Sequence, residues 1–164
     1  MTAGRGAGAA LFLATVGAGA AAAVLGVYAF LDKGSAALLA PDDANVVARG
    51  KAVYVEHCAS CHGRNLEGQP DWQTRGNDGF LPAPPHDETG HTWHHPDRLL
   101  FDITKRGVAA AAELKGYETR MPAFGGVLSD DDIVAVLTYI KSRWPEEIRR
   151  RHDSLNRARS KGTP

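Results

Sequence analysis

Cys58 and Cys61 are the only two cysteines among the 164 residues of the chain. Because they are three positions apart, any chemistry they share is local. A framework of several disulfides, or a zinc site made only of thiolates, needs at least four cysteines, so both are excluded. The formal net charge is zero, which gives no field that would attract nucleic acid. The fold must therefore be organised around one short segment.

That segment has the sequence Cys-Ala-Ser-Cys-His and ends at His62. C-x-x-C-H is the attachment motif of a c-type haem, because two cysteines at this spacing can bond both vinyl groups of one porphyrin and the adjacent histidine can turn beneath the iron. Three alternatives stay open. A thioredoxin-like redox pair would need a βαβ context, a zinc site would need two more ligands, and a structural disulfide would leave His62 unexplained.

Met121 is the only methionine after the initiator, and it lies in the segment Arg-Met-Pro-Ala-Phe-Gly-Gly. Pro122 stiffens the backbone beside the sulfur, whereas Gly125 and Gly126 allow tight turns after it. A lone methionine on a helical stripe usually fills a core. In this Pro/Gly loop it is instead predicted to be the second axial ligand, and a thioether ligand raises the reduction potential.

Four histidines lie close together between positions 86 and 95. They are alternatives to Met121 as the sixth ligand, and bis-histidine ligation would lower the potential. Together they would also suit a copper or zinc site, because imidazole binds both metals. As exposed loop residues they would need neither role. These residues are His86, His91, His94 and His95.

The N-terminal region contains 26 residues without a charge, from Gly6 to Leu31. As a helix they would extend about 39 Å, more than the roughly 30 Å hydrocarbon core of a bilayer. A signal-peptide core is shorter, so an uncleaved signal anchor is favoured over a signal cleaved after Ala36 or Ala37. Arg5 before the segment favours an N-terminus inside. The remaining chain is then predicted to lie on the periplasmic side of the cytoplasmic membrane or, after cleavage, to be soluble there.

Helical signals dominate the remaining sequence, and no strand alternation of useful length occurs. Asp42 or Asp43 can cap a first helix, in which Gly50 either allows another helix to approach or is only a weak position. Ser129 and the aspartates after it begin the clearest helix, which Pro145 ends. Its predicted buried stripe consists of Ile133, Val136, Leu137, Ile140 and Trp144. The fold class is therefore predicted to be all-α.

Two segments lack this regularity. Residues 63–95 form a proline-rich stretch without an apolar period, and so long a loop within a compact domain is explained by a large buried cofactor. Pro96 then suits the first turn of a middle helix that Gly107 ends. From Lys141 to the C-terminus there are eight Lys or Arg against three Asp or Glu. This tail is predicted to be a solvated helix end followed by disorder, with contact to an acidic partner or anionic lipid as the alternative.

The order of these features resembles the class I cytochrome c family: a helix, C-A-S-C-H at 58–62, a middle helix, Met-Pro at 121–122 and a terminal helix. The resemblance implies a few helices around one covalent haem, with the first and last helices packed near Gly50 and Tyr54 against Leu137 and Tyr139. The implied haem-binding residues are Cys58, Cys61, His62, Met121, Trp93, Leu99 and Leu100. Among them His62 and Met121 are the implied iron ligands, and Trp93 is the implied partner of a haem propionate.

One departure from the family pattern concerns the partner of the ligand histidine. Members commonly have a proline about a dozen residues after that histidine, and its carbonyl orients the imidazole. None of Pro70, Pro82, Pro84 and Pro85 matches this position. The predicted organisation is a signal anchor over residues 1–31, a linker over 32–41, a haem domain over 42–145 and a charged tail over 146–164.

The predicted function is one-electron transfer between redox proteins in an electron-transport chain, without catalysis. With both axial positions filled by the protein, no small-molecule substrate reaches the iron. Two alternatives remain. The chain could be the haem subunit of a respiratory oxidoreductase, or it could handle copper through its histidine-rich loop. The sequence identifies neither the donor, the acceptor, the potential nor the oligomeric state.

Overall fold

The computed structural model describes residues 37–161. The predicted signal anchor and the first half of the predicted linker, residues 32–36, lie outside the described residues. Within residues 37–161, no helix has the length and apolar character needed to cross a bilayer.

The described part of the chain contains helices and no strands, as the all-α prediction requires. Asp43 caps the first helix, because its side chain accepts hydrogen bonds from the backbone N–H of Asn45 and Val46. Ser129 caps a later helix in the same way, because its hydroxyl accepts from the N–H of Asp132. In chain order the helices are α1 (Ala44–His57), α2 (Ala59–His62), a 3-10 turn (Thr92–His94), α3 (Asp97–Arg106), α4 (Val108–Ala111), α5 (Asp130–Ser142) and α6 (Glu146–Lys161).

Helices α1 and α5 pack against each other at Gly50, and this contact decides between the two interpretations of that glycine. A Cβ placed on Gly50 would lie 1.9 Å from the carbonyl oxygen of Ala135 and 2.9 Å from the Cβ of Tyr139. One turn later the rings of Tyr54 and Tyr139 are 5.5 Å apart. The absence of a side chain at position 50 therefore allows the two backbones to meet, as the family resemblance implies.

The predicted stripe of α5 forms much of the hydrophobic core. All five of its residues, including Trp144 just after the helix, are buried. The core also contains Tyr54 from α1, Leu100 and Phe101 from α3, and Leu66 from the long connection. Burial of these apolar side chains supplies the main driving force for folding.

The charged tail differs from its prediction, because residues 146–161 form helix α6 rather than a disordered segment. His152 of this helix is 0% exposed. The amide oxygen of Asn156 accepts a hydrogen bond from the backbone N–H of Asp97 at 2.8 Å. Asp153 pairs at 2.5 Å with Lys141, whose side chain is 1% exposed. The prediction was wrong because Ile148, His152 and Asn156 share one inward face that the high charge of the segment obscures.

The long connection between α2 and α3 is folded back on its own beginning. The N–H of Gly68 donates to the carbonyl of His62 at 2.8 Å, and the N–H of His86 donates to the carbonyl of Leu66 at 2.7 Å. Between them, the N–H of Gln69 donates to the carbonyl of Ala83. These bonds return the segment around Pro84 to the C-x-x-C-H helix, which determines the surroundings of His62.

Candidate functional site

The C-x-x-C-H segment forms a single helical turn at the end of α1. The N–H of Cys58 still donates to the carbonyl of Tyr54, and the N–H of His62 donates to the carbonyl of Cys58, both at 2.9 Å. Cys58 is half-buried, Cys61 is exposed, and no disulfide joins them. Both sulfurs and the imidazole therefore project from one rigid turn, as attachment of one cofactor requires.

The electrostatics of Cys58 do not suit a thiol redox pair. Burial, and secondly the nearby Cys61, raise the pKa of the Cys58 thiol to about 11. Reactive cysteines of thioredoxin-like motifs have the opposite shift, because their thiolate is stabilised. No strand occurs within residues 37–161 to provide the βαβ context either. The structure thus supports covalent attachment over dithiol chemistry.

His62 is buried, and its imidazole makes a hydrogen bond to the backbone. Its Nδ1 lies 2.8 Å from the carbonyl oxygen of Pro84, which can only accept, so Nδ1 carries the proton and Nε2 keeps a free lone pair. Burial lowers the pKa of His62, and the bond to Pro84 opposes that shift. A neutral imidazole with its second nitrogen anchored is the usual form of a metal-binding histidine. Pro84 is therefore the partner that the sequence had left open.

The ring of His86 lies on His62. Their centroids are 3.9 Å apart and the ring planes are inclined by 22°, which is a stacked pair. Two imidazoles in this arrangement cannot lie on opposite faces of one porphyrin, so the geometry disfavours His86 as a sixth ligand. The carbonyl of His86 accepts a 2.7 Å hydrogen bond from the indole N–H of Trp144.

Met121 lies in a loop that is fastened to α3. The N–H groups of Phe124 and Gly125 donate to the carbonyls of Thr104 and Lys105, each at 2.9 Å. The ring of Phe124 also lies 6.4 Å from that of His57, the last residue of α1. Met121 is half-buried, and its N–H donates to Thr119. The methionine loop is therefore held beside the start of the C-x-x-C-H turn, and ligation by Met121 stays a prediction.

The three other predicted haem contacts have different environments. The indole N–H of Trp93 donates to the carbonyl of Glu88 at 3.3 Å, so a bond to a propionate would have to replace this one. Leu100 belongs to the core, whereas Leu99 is half-buried and outside it. Their contacts with a haem stay predictions.

The remaining histidines are engaged with neighbouring rings. His91 stacks on Trp72 at 5.2 Å and meets His95 edge-on at 5.4 Å. His94 stacks on Trp93 at 3.6 Å. Across residues 37–161, no group of three or more His, Cys, Asp or Glu is arranged to hold a metal ion. The copper alternative therefore gains no support from their arrangement.

The sequence analysis named Pro84, His86 and Trp144 but did not predict that Pro84 and His86 contact His62 or that Trp144 supports His86. Each lies more than 20 residues from His62 along the chain, and only the folded-back connection and the core bring them together. The one local signal was the cluster of prolines before His86, which marks a stiff segment without giving its position relative to His62.

Comparison with known proteins agrees with this site. The sequence model of the Cytochrome c family matches residues 47–144, which include the C-x-x-C-H turn and Met121. The chain is 31% identical over 97 residues to the Cbb3-type cytochrome c oxidase subunit FixP of Bradyrhizobium diazoefficiens. It is 32% identical over 98 residues to the Cbb3-type cytochrome c oxidase subunit CcoP of Azospirillum sp. strain B510.

These alignments cover 58% and 60% of this chain, but 29% of each relative. The chain therefore spans less than a third of the length of the curated relatives it matches. No solved structure gives a significant match. Since the family model covers more than half of the chain, and its cysteines and histidine form the attachment turn, the chain belongs to the cytochrome c family and carries one covalent haem c.

Proposed function

We propose that this cytochrome is a one-electron carrier of an electron-transport chain, with its haem domain on the outer face of the cytoplasmic membrane. The observation that carries the proposal is the geometry of His62, whose Nδ1 is bound to Pro84 so that Nε2 is available to iron. Cys58 and Cys61 supply the two thioethers on the same turn. This turn suits a haem that Cys58 and Cys61 would hold covalently and that His62 would ligate.

Met121 is the proposed second ligand. A haem held by histidine and methionine would supply one-electron redox chemistry, and the thioether would favour the ferrous state. The protein would supply His62, which is buried, and Met121, which is half-buried, as the two iron ligands. Since these two ligands would leave no open position on the iron, we propose that the chain transfers electrons and catalyses no reaction itself.

Replacement of the sulfur tests this proposal. Met121→Ala is expected to lose the sulfur-to-iron charge-transfer band and to lower the reduction potential, measured by absorption spectroscopy of the ferric protein and by redox titration. Thr119→Ala is the matched control, because it removes only the hydrogen bond to the N–H of Met121. An alanine variant with the wild-type band and potential would show that Met121 is not a ligand.

The proposed location is supported by the uncharged N-terminal segment, residues 6–31, which is long enough to span a bilayer. The test separates membranes from soluble extract and then treats intact spheroplasts with protease. We expect the haem domain to remain with the membrane after an alkaline wash and to be digested from outside. Recovery in the soluble periplasmic fraction would instead support cleavage of the segment.

The second candidate is a haem subunit of a respiratory oxidase complex. Both relatives are described as subunits of Cbb3-type cytochrome c oxidases, and each is aligned with more than half of this chain. Purification from native membranes in mild detergent distinguishes the candidates. A stable complex with a larger oxidase supports the subunit, whereas isolation of the chain alone and rapid exchange of electrons with soluble cytochromes support the carrier.

A further inference from the structure

His86 is outside the set of residues that attach or ligate the haem, but it makes the closest ring contact with His62. Its imidazole covers one face of the ligand ring at a centroid distance of 3.9 Å. Its Nδ1 is buried and has no hydrogen-bond partner in the described part of the chain. The position of the His86 ring is therefore not fixed by a hydrogen bond from Nδ1. Its direct contact with the site is the stacking on His62.

The backbone of His86 is fixed from two sides. Its N–H donates to the carbonyl of Leu66, a core residue four positions after His62. Its carbonyl accepts from the indole of Trp144, at the junction of α5 and α6. The ring of Trp144 in turn meets the buried ring of His152 edge-on at 5.0 Å. The stacked ring is thus held by the core and, through Trp144, by the C-terminal helix.

We propose that His86 is a positioning residue, which sets the rotational orientation of the His62 imidazole and excludes water from its covered face. The inference rests on the proposed role of His62 as an axial ligand. The bond to Pro84 fixes one edge of that ligand ring, and a flat ring packed on its face restricts rotation about that bond. Contacts of this kind with a ligand tune its orientation, and solvent exclusion raises the potential.

Two substitutions separate ring stacking from simple occupancy of space. His86→Ala removes the covering ring, so the spread of the ferric EPR g values should change and the reduction potential should fall. His86→Phe keeps a flat ring and should retain the wild-type g values and potential. It should also be at least as stable to heat, because it removes an unpaired buried nitrogen.

Trp144→Phe tests the support of His86, since it keeps an aromatic ring but removes the hydrogen bond to the His86 carbonyl. We expect the g values and the reduction potential to shift in the same direction as for His86→Ala, but by less. His91→Ala is the matched control, because it removes a histidine stacked on Trp72 rather than on His62. The control should keep the wild-type g values and potential.

The outcomes separate this inference from the function on which it rests. A wild-type protein without the EPR signal of histidine–methionine ligation would overturn the proposed function. With that signal present, unchanged g values in His86→Ala would overturn the positioning role alone. The same conclusion would follow if the g values and potential shifted equally in His86→Ala and His86→Phe, or equally in His86→Ala and His91→Ala. If His86→Ala fails to mature, wild-type values in His86→Phe together with a shift in Trp144→Phe support the role, and any other result opposes it.

Discussion

His152 is a fully buried histidine whose ring nitrogens are both engaged. Its Nε2 donates to the carbonyl of His95 at 2.9 Å, and its Nδ1 faces the side-chain amide of Asn156 at 3.4 Å. Asp97 lies 3.5 Å from Nε2. This arrangement suits a neutral ring, because a proton on Nδ1 would point at the N–H of Asn156. Burial and the charge of Lys141 lower the pKa of His152, opposed by Asp97 and by the His95 carbonyl.

This lowered pKa predicts a dependence of stability on pH. The unfolded chain binds a proton at its ordinary histidine pKa of about 6.5, whereas the folded state resists it. The stabilisation of the folded state by neutral His152 is therefore fully present above a pH of about 6.5. It is lost as the pH falls below that value, by at most about 1.4 kcal/mol per pH unit. Denaturant unfolding of the holoprotein between pH 7.5 and 5.5 should show a wild-type advantage over His152→Gln that shrinks with acidification.

A substitution on the outer side of the same helix provides the control for this experiment. Ser154 is exposed and changes no titrating group when replaced, so the curve of Ser154→Ala should run parallel to that of the wild type. A gap between wild type and His152→Gln that stays constant over the whole pH range would contradict the prediction.

The residues around His62 show which parts of the site sequence reasoning could reach. Cys58, Cys61 and His62 are adjacent in the chain, so their spacing alone predicts a shared turn, and the structure has that turn. Pro84 is 22 positions from His62, and its role depends on how the intervening loop folds. No local sequence pattern predicts that the loop folds back towards His62. The fold-back is made by backbone hydrogen bonds, such as that from the N–H of Gln69 to the carbonyl of Ala83, and these do not depend on side-chain identity.

At the scale of elements, the crossing of α1 and α5 depends on Gly50. Gly50→Ala would place a Cβ 1.9 Å from the Ala135 carbonyl oxygen, so the helices must separate. We expect a loss of about 1–3 kcal/mol in the free energy of unfolding, measured by denaturant titration. Gly126→Ala is the control, because no atom lies within 4 Å of its added Cβ, and it should change stability by less than about 0.5 kcal/mol. Equal losses in both variants would show that the crossing is not the cause.

The two last helices illustrate why helix prediction succeeded for one and failed for the other. α5 has a capping serine, acidic residues in its first turn and a regular apolar stripe, and each of these signals is local. α6 presents an inward face that includes the polar residues His152 and Asn156, so an apolar period is absent. Its packing depends on partners far along the chain, such as Asp97, which supplies both a backbone donor and a carboxylate to Asn156.

At the scale of the whole described chain, the long connection and the methionine loop meet in one exposed contact. Arg120, directly before Met121, pairs with Asp78 at 2.5 Å and lies over the ring of Phe80 at 5.1 Å. Asp78 and Phe80 belong to the part of the connection farthest along the chain from both α2 and α3. The connection therefore fastens the loop that bears the proposed ligand, in addition to supplying Pro84.

This contact predicts that Asp78 slows release of Met121 from iron. Exposed ion pairs contribute at most about 1 kcal/mol, which corresponds to a factor of about five in an equilibrium or rate. Asp78→Asn should accordingly increase the rate of cyanide binding to the ferric protein by up to that factor, because cyanide must displace the sulfur. High salt should reduce the difference, since the pair is exposed to solvent.

Glu146→Gln is the matched control, because it breaks another exposed ion pair, between Glu146 and Arg150, that lies within α6. It should leave the rate of cyanide binding unchanged. Equal rates for Asp78→Asn and wild type at low salt would mean that the ion pair between Asp78 and Arg120 does not hold the Met121 loop. A faster rate in Asp78→Asn only would show that this ion pair helps to keep Met121 on the iron.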